Sequence, residues 1–266
     1  MRVKGDGIFS INTSASGGFG NAGISLPETV AEASGGGDNP PITDNLSVYF
    51  NPDVDTYSDA GTTLAVDGDN IRQMFDKSGN SNTLNQTTAS KQPLYNTTTF
   101  GNGNASIYSI NDYLETTNTL SVGVSDDYTM YMVYKKSANS NIYYAIRGSG
   151  GYPRFEHLTN KIQFRDNQGS GASFTYTDNT DLKVIALTLD RNSGTHGEHK
   201  LYVNGTYIAL VNYTINWDID ILRIFANSTY GMYYGSFLWY SGIGHDATQV
   251  AQISDWLNEK YSFPNY

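Results

Sequence analysis

The stretch Lys200-Leu201-Tyr202-Val203-Asn204-Gly205 followed by Thr206-Tyr207-Ile208-Ala209-Leu210-Val211 leaves the chain little local choice. Leu201 and Val203 share one strand face and Tyr202 takes the other. Asn204-Gly205 supplies the two positive-φ positions of a tight turn, so 206–211 must return as the partner strand. From Leu46 onward the same pattern recurs: short strand-like runs bounded by Gly, Asn, Asp and Ser, at the spacing of a β-sandwich. Strands are predicted near 46–50, 70–75, 105–110, 113–116, 128–135, 143–147 and 154–157. Further strands are predicted near 161–165, 172–177, 182–190, 200–203, 206–213, 219–226 and 235–240. The runs 128–134 and 184–189 are apolar on both faces, as inner strands of stacked sheets require. One helix closes the chain. Asp246 is placed to cap it with Gln249 three residues on, and Val250, Ile253, Trp256, Leu257 and Tyr261 form one apolar stripe.

At 266 residues the chain is long enough for an ample core. Its 26 acidic residues divide into 20 Asp and 6 Glu, and Asp favours turns where Glu favours helices. The formal net charge of −10 argues against a nucleic-acid partner, because phosphate binding needs concentrated Lys and Arg. With no cysteine, stability must come from packing and pairing alone. No apolar run reaches the roughly 18 residues of a membrane span, so no membrane insertion is expected. The start, Met1-Arg2-Val3-Lys4-Gly5-Asp6, lacks an apolar signal core and reads as a mature N-terminus.

A second short stretch, Asp76-Lys77-Ser78-Gly79-Asn80-Ser81-Asn82, has the form D-x-S-G-N-x-N. With the L-Y-V-N-G hairpin it resembles the laminin G-like, concanavalin A-like lectin/glucanase jelly roll, over roughly 45–261. The closing W-L-N-E-K-Y helix resembles the variants found in phage virion and bacterial surface proteins. The resemblance implies an all-β, two-sheet antiparallel jelly-roll sandwich with a C-terminal helix and an extended N-terminal arm. The glucanase branch of that superfamily carries E-x-D-x-E or E-x-D-x-x-E on one strand. Here the only Glu residues are Glu28, Glu32, Glu115, Glu156, Glu198 and Glu259, and none forms that pattern. The expectation is therefore a non-enzymatic protein.

Residues 1–44 read as a separate arm or linker and 45–266 as the jelly-roll domain with its helix. Gly35-Gly36-Gly37-Asp38-Asn39-Pro40-Pro41 is a flexible stretch ending in a stiff one. Composition alone allows a disordered tail. Spaced hydrophobes (Val3, Ile8, Phe9, Ile11, Phe19, Ile24, Leu26) equally allow an anchoring arm that orders against a partner.

Sugar binding relies on aromatic rings against the apolar face of a pyranose, with polar groups taking the hydroxyls. Two clusters qualify as glycan-binding candidates: Tyr143, Tyr144, Tyr152, Arg154 and His157 with Phe155, and Tyr230, Tyr233 and Tyr234 with Trp239. Against this, alternate aromatics in strands usually face a core. Arg147, Arg154 and Arg165 alternate with apolar residues and fit one sheet face or a solvated edge. No catalytic or metal residue is assigned and no cofactor is expected. Calcium is the one ion weighed, from the loop acids Asp53, Asp55, Asp59, Asp67, Asp69, Asp126, Asp127, Asp218 and Asp220. His196-Gly197-Glu198-His199 reads as a surface loop.

The leading expectation is a bacteriophage virion accessory protein, a capsid decoration protein or short fibre at the virion surface. Its arm would bind capsid or other virion proteins, and its lectin-like domain would face host surface glycans. An arm that exchanged strands would favour a homo-oligomer. The alternatives are a secreted bacterial adhesin or carbohydrate-binding module at the cell surface and, behind these, a glycan-cleaving enzyme.

Overall fold

A computed structural model describes residues 39–101, 103–117, 126–139, 141–147, 154–165, 171–191, 197–213, 222–225 and 230–266. Its first strands are β1 (Leu46–Phe50), β2 (Thr56–Tyr57), β3 (Gln73–Phe75), β4 (Thr83–Asn85), β5 (Leu94–Asn96), β6 (Ser106–Ser109) and β7 (Tyr113–Thr116). Next come β8 (Tyr128–Lys136), β9 (Ile142–Arg147), β10 (Arg154–Leu158), β11 (Lys161–Arg165) and β12 (Gly171–Thr175). The chain ends with β13 (Lys183–Asp190), β14 (Gly197–Val203), β15 (Thr206–Tyr213), β16 (Arg223–Phe225), β17 (Met232–Ser241) and the helix α1 (Ala247–Tyr261). The predicted arm residues Val3, Ile8, Phe9, Ile11, Phe19, Ile24 and Leu26 lie outside the described residues.

Two antiparallel sheets form an all-β, jelly-roll-type sandwich. One runs β15-β14-β13-β8-β17-β6-β5, with β1 also paired to β17. The other runs β12-β11-β10-β9-β16-β7-β4-β3-β2. Alternation sorts the eight-stranded sheet onto two cores. Met130, Met132, Ile185, Leu187, Phe237 and Trp239 face the second sheet. Tyr131, Val133, Val184, Ala186, Leu238 and Tyr240 face away from it, toward Val250, Ile253, Trp256 and Leu257 of α1. The helix is thus a third layer. Its sequence-predicted cap is in place: Asp246 accepts from Gln249 N while the Gln249 side chain accepts from Asp246 N.

β17 changes face part-way. Its register against β8 slips between Tyr234 and Phe237, so Tyr234 and Phe237 both point into the inter-sheet core although three residues apart. Such a bulge strands a backbone donor. Here the Ser236 N–H donates to the Tyr261 hydroxyl of α1 at 3.0 Å, and Ser236 Oγ lies 2.9 Å from the same oxygen. Glycine is required at the neighbouring position, because a Cβ on Gly235 would stand 2.8 Å from Val133 Cγ1. The sequence-predicted strand 235–240 stops at this slip; the strand itself begins at Met232.

The D-x-S-G-N-x-N loop proves to be a latch on β1. Asp76 Oδ1 accepts from Tyr49 N and Ser78 N at 2.8 Å each. Its Oδ2 accepts from Ser78 Oγ at 2.7 Å and Asn82 Nδ2 at 2.9 Å. Asn80 and Asn82 amides donate to the Leu46 and Ser47 carbonyls, and Gly79 at φ +90° closes the turn. A strand edge that would otherwise lack partners is satisfied by side chains. Three short strands escaped the sequence reading: β2, β4 and β5, of two or three residues each. They are too short to show a period, and neighbouring strands impose them.

Two expectations follow. Asp76→Ala should lower unfolding free energy by about 2–3 kcal/mol, since several donors are orphaned together; urea denaturation of both proteins measures it. The buried imidazoles of His199 and His245 are each pushed down to about 4 by burial. Folded, they stay neutral while the unfolded chain protonates near 6.5, so their contribution is complete above that pH and is lost as pH falls toward 4. The loss should be about 3 kcal/mol per histidine. Urea midpoints at pH 7 and pH 4.5 test the slope, and histidine ring resonances still neutral at pH 5 identify the groups.

Candidate functional site

Sequence alternation also sorts the nine-stranded sheet. Leu84, Leu114, Phe155, Ile162, Phe164, Phe174 and Ile224 enter the inter-sheet core. The intervening residues form an outer face on which the described strands carry polar and aromatic side chains. Strand register lines these up in a rung. Arg165 of β11 pairs with Arg154 of β10, which pairs with Arg147 of β9. Ile224 pairs with Ile146, which sets Arg223 of β16 beside Arg147. Arg223 pairs with Glu115 of β7, Glu115 with Asn85 of β4, Asn85 with Gln73 of β3, and Gln73 with Tyr57 of β2. Directly opposite residues of antiparallel strands share a face. One level of the sheet therefore reads Arg-Arg-Arg-Arg-Glu-Asn-Gln-Tyr.

Two glutamates are held within this face. Glu115 takes both Arg223 Nε, at 2.9 Å, and Arg223 Nη2. The Arg223 guanidinium lies 4.2 Å from the Tyr113 ring centroid, a cation–π arrangement. Glu156 is buried and accepts from Arg165 Nη1 at 3.2 Å. With its amide oriented to satisfy every partner, Gln163 donates to Glu156 at 3.3 Å and accepts from Lys161 at 3.0 Å and Ser173 at 2.9 Å. At the end of the rung β12 offers Gly171 opposite Arg165, where a Cβ would stand 2.1 Å from the Phe164 carbonyl oxygen. Only glycine fits there.

The two carboxylates are far apart. Glu115 and Glu156 are separated by three strand spacings, about 14 Å at roughly 4.8 Å per strand. Glycosidic cleavage needs about 5–5.5 Å for retention or 6.5–9.5 Å for inversion. Each is moreover bonded to an arginine.

Of the glycan-binding candidates, Tyr143 and Tyr144 lie on β9, Tyr143 paired with Glu156 at an outer-face position. Arg154 opens β10 on the rung, and Tyr152 lies outside the described residues. His157 is not at a binding surface. It alternates with Glu156 onto the inner face, is fully buried, and puts Nδ1 3.3 Å from Asp178 Oδ2. The tyrosine cluster divides too. Tyr230 is exposed, Tyr233 packs its ring 4.6 Å from Tyr108, and Tyr234 is buried between the sheets, so it cannot meet a sugar. Among the calcium candidates, Asp53 is paired with Lys260 at 2.6 Å, Asp55 with Lys77 at 2.8 Å, and Asp59 accepts from Thr62 N and Thr63 N. Asp218 and Asp220 lie outside the described residues, as does His196. Among the described residues no three His, Asp or Glu gather to hold a metal.

Sequence reading missed a buried polar knot at one end of the core. Asp178 accepts from Lys183 Nζ at 2.7 Å and the Tyr134 hydroxyl at 3.0 Å, with Lys136 Nζ at 3.5 Å. Burial pushes the Asp178 carboxyl up, but hydrogen bonding and charge from His157 and Lys183 outweigh it and hold it well below the carboxylate range. Burial pushes both Lys136 and His157 down. Beside Lys183 lies a cleft of about 170 Å³, walled by Tyr176, Asn179, Asp181, Asn204 and Asn265. Its polar wall is already knitted together: Asp181 accepts from Asn179 at 2.6 Å and Asn265 at 2.7 Å. The knot is structural; on the outer face of the nine-stranded sheet Glu156 and Gln163 are buried, while Tyr57, Glu115, Arg165 and Arg223 are half-buried.

No protein-family model and no curated protein matches the chain. Solved structures match in fold. The botulinum neurotoxin type G receptor-binding domain superposes with a TM-score of 0.55 at 14% identity, over 80% of this chain and 51% of that one. The receptor-binding domain of botulinum neurotoxin D gives 0.56 at 9%, over 80% and 53%. A botulinum neurotoxin serotype D ligand-binding domain in complex with N-acetylneuraminic acid gives 0.50 at 10%, over 80% and 51%. The chain spans about half the length of these structures, and at such identities the likeness is one of fold.

Removing Asp178 should take away the carboxylate shared by two buried ammonium groups, Lys136 and Lys183. Asp178→Ala is expected to cost about 3–5 kcal/mol of stability, read from urea denaturation at pH 7.

Proposed function

We propose that this chain is a non-enzymatic glycan-binding protein, and more specifically a bacteriophage virion accessory protein: a capsid decoration protein or short fibre. On this reading residues 1–44 fasten it to capsid or other virion proteins, and a concanavalin A-like (laminin G-like) domain faces host surface glycans. The observation that carries the binding reading is the outer face of the nine-stranded sheet. The eight-stranded sheet has most of its outer face under α1, with Tyr207 and Leu210 exposed at the β15 edge, whereas the helix does not pack on the outer face of the nine-stranded sheet. This one presents a continuous polar rung with Tyr57, Tyr113 and Tyr143 among its strands. The separation of Glu115 from Glu156 favours holding a glycan over cleaving it. The virion assignment is supported by the family resemblance, the spaced hydrophobes of the arm and the absence of cysteine.

A secreted adhesin or carbohydrate-binding module is the second reading. It is favoured by the fold neighbours, which are named as receptor-binding domains, one solved with N-acetylneuraminic acid. Deleting 1–44 separates the two. The truncated protein should keep its β circular dichroism and fail to join particles; undiminished incorporation would refute the arm as anchor. Incubation with laminarin, alginate and mixed β-glucans should release no new reducing ends, and their appearance would overturn the non-enzymatic reading.

A further inference from the structure

The cleft beside the Asp178 knot is lined by three separate parts of the chain. Tyr176, Asp181 and Lys183 come from the run that leads from β12 into β13, Asn204 and Ile208 from the β14–β15 hairpin, and Asn265 from beyond α1. At about 170 Å³ the cleft is smaller than the roughly 300–1,000 Å³ of a pocket for a drug-sized ligand, so it suits a single ring. Hydrogen bonds within the wall fix which atoms are left over. Asp181 accepts from Asn179 and Asn265 through one oxygen, Oδ2. A carboxylate only accepts, so the Asn265 amide is held with its Oδ1 unengaged. Asp181 Oδ1 and the Tyr176 hydroxyl likewise have no partner among the described residues. Asn204 Nδ2 donates one hydrogen to the Asn265 carbonyl oxygen and keeps a second. Lys183 Nζ donates to Asp178 Oδ1 and to both oxygens of Asn179, which commits its three N–H groups. Tyr176 and Ile208, half-buried against the inter-sheet core, give the cleft an apolar side.

From this we infer that the cleft is a sugar site distinct from the rung on the nine-stranded sheet, and that it takes the terminal ring of a neutral glycan. The inference rests on the glycan-binding reading and adds a second site and a ligand class to it. Sugar hydroxyls donate to Asp181 Oδ1 and Asn265 Oδ1 and accept from Asn204, while the apolar side of the pyranose meets the Tyr176 ring. Burial and the nearby Asp178 and Asp181 charges push the Tyr176 hydroxyl up to about 12, so it remains a donor. The wall is already tied by its own hydrogen bonds, so little side-chain freedom is lost on binding. An acidic sugar fits less well. Lys183 has no hydrogen left to give it, and the charged atom without a partner is a carboxylate oxygen, which repels a second carboxylate.

The test titrates the full chain by ¹H–¹⁵N NMR, with the methyl glycosides of glucose, galactose and mannose as neutral probes and N-acetylneuraminic acid as the acidic one. At least one hexoside should shift the side-chain amide resonances of Asn204 and Asn265 saturably, and N-acetylneuraminic acid should not. Asp181→Asn should weaken that hexoside about tenfold, as loss of one hydrogen bond to a charged group implies, and Asn265→Ala should weaken it too. Should Asp181→Asn fail to fold, Asn265→Ala, at an exposed residue, still decides. Undiminished binding by Asn265→Ala would overturn the cleft as the site. N-acetylneuraminic acid binding as tightly as the best hexoside, or in its place, would overturn the neutral class. Affinity electrophoresis of the same protein in laminarin and alginate gels separates the inference from the reading beneath it. Retardation in either gel with the cleft silent overturns the inference and leaves glycan binding standing; silence in both assays overturns both.

Discussion

Strands β8, β13 and β17 carry apolar side chains on both faces, and a sheet built on such strands cannot border water on either side. Everything else in the structure is arranged around that condition. The nine-stranded sheet covers one face with Phe155, Ile162, Phe164 and Phe174, and α1 covers the other with Val250, Ile253, Trp256 and Leu257. At about 25 cal/mol per Å² of apolar surface removed from water, burying several such side chains outweighs any single polar contact in the fold. The Tyr261 hydroxyl on Ser236 shows how closely the helix is fitted: the residue that anchors the last turn also satisfies the donor freed by the β17 bulge.

Layer order then decides which surface is left for binding. The middle sheet is covered on both sides except at the β15 edge, where Tyr207 and Leu210 are exposed, and the helix leaves the outer side of the nine-stranded sheet unpacked. In β10 Phe155 and His157 are buried with no exposure, and Glu156 between them sits at an outer-face position. The same alternation that builds the core therefore builds the polar rung. The latch made by Asp76, Asn80 and Asn82 belongs to this economy too, because it satisfies the β1 edge with side chains where no strand is available. The motif that carries the family resemblance is a structural one.

Much of the fold could be read from local patterns. The 200–211 hairpin turns at Asn204 and Gly205, with φ of 48° and 73°, as the residues required. The helix, its capping box and its stripe stand where the periodicity placed them. The site was only partly legible. The alternation of Arg147, Arg154 and Arg165 with apolar residues is visible along the chain, but nothing in it says that these positions stand side by side or that Arg223 and Glu115 extend the row. His157 and Tyr234, sugar contacts by the sequence pattern, are buried. Their neighbours look like a surface aromatic cluster in one dimension, and strand parity sends them inward, His157 on β10 and Tyr234 on β17 just before its bulge.

Taken alone, the sequence determined the elements and their faces: periodicity, turn chemistry and capping are interactions between residues close in the chain, so they can be read from it. It also excluded the clustered acids of a glucanase strand. Tertiary structure decided the rest. Register across β11, β10, β9, β16 and β7 set four arginine positions and Glu115 on one level from five separate segments, and the meeting of β8, β10 and β13 buried Asp178 among two lysines and a histidine. Such contacts join separate segments, from five positions apart for Asp178 and Lys183 to more than a hundred for Glu115 and Arg223, and their energies depend on distance in space, which no local pattern encodes.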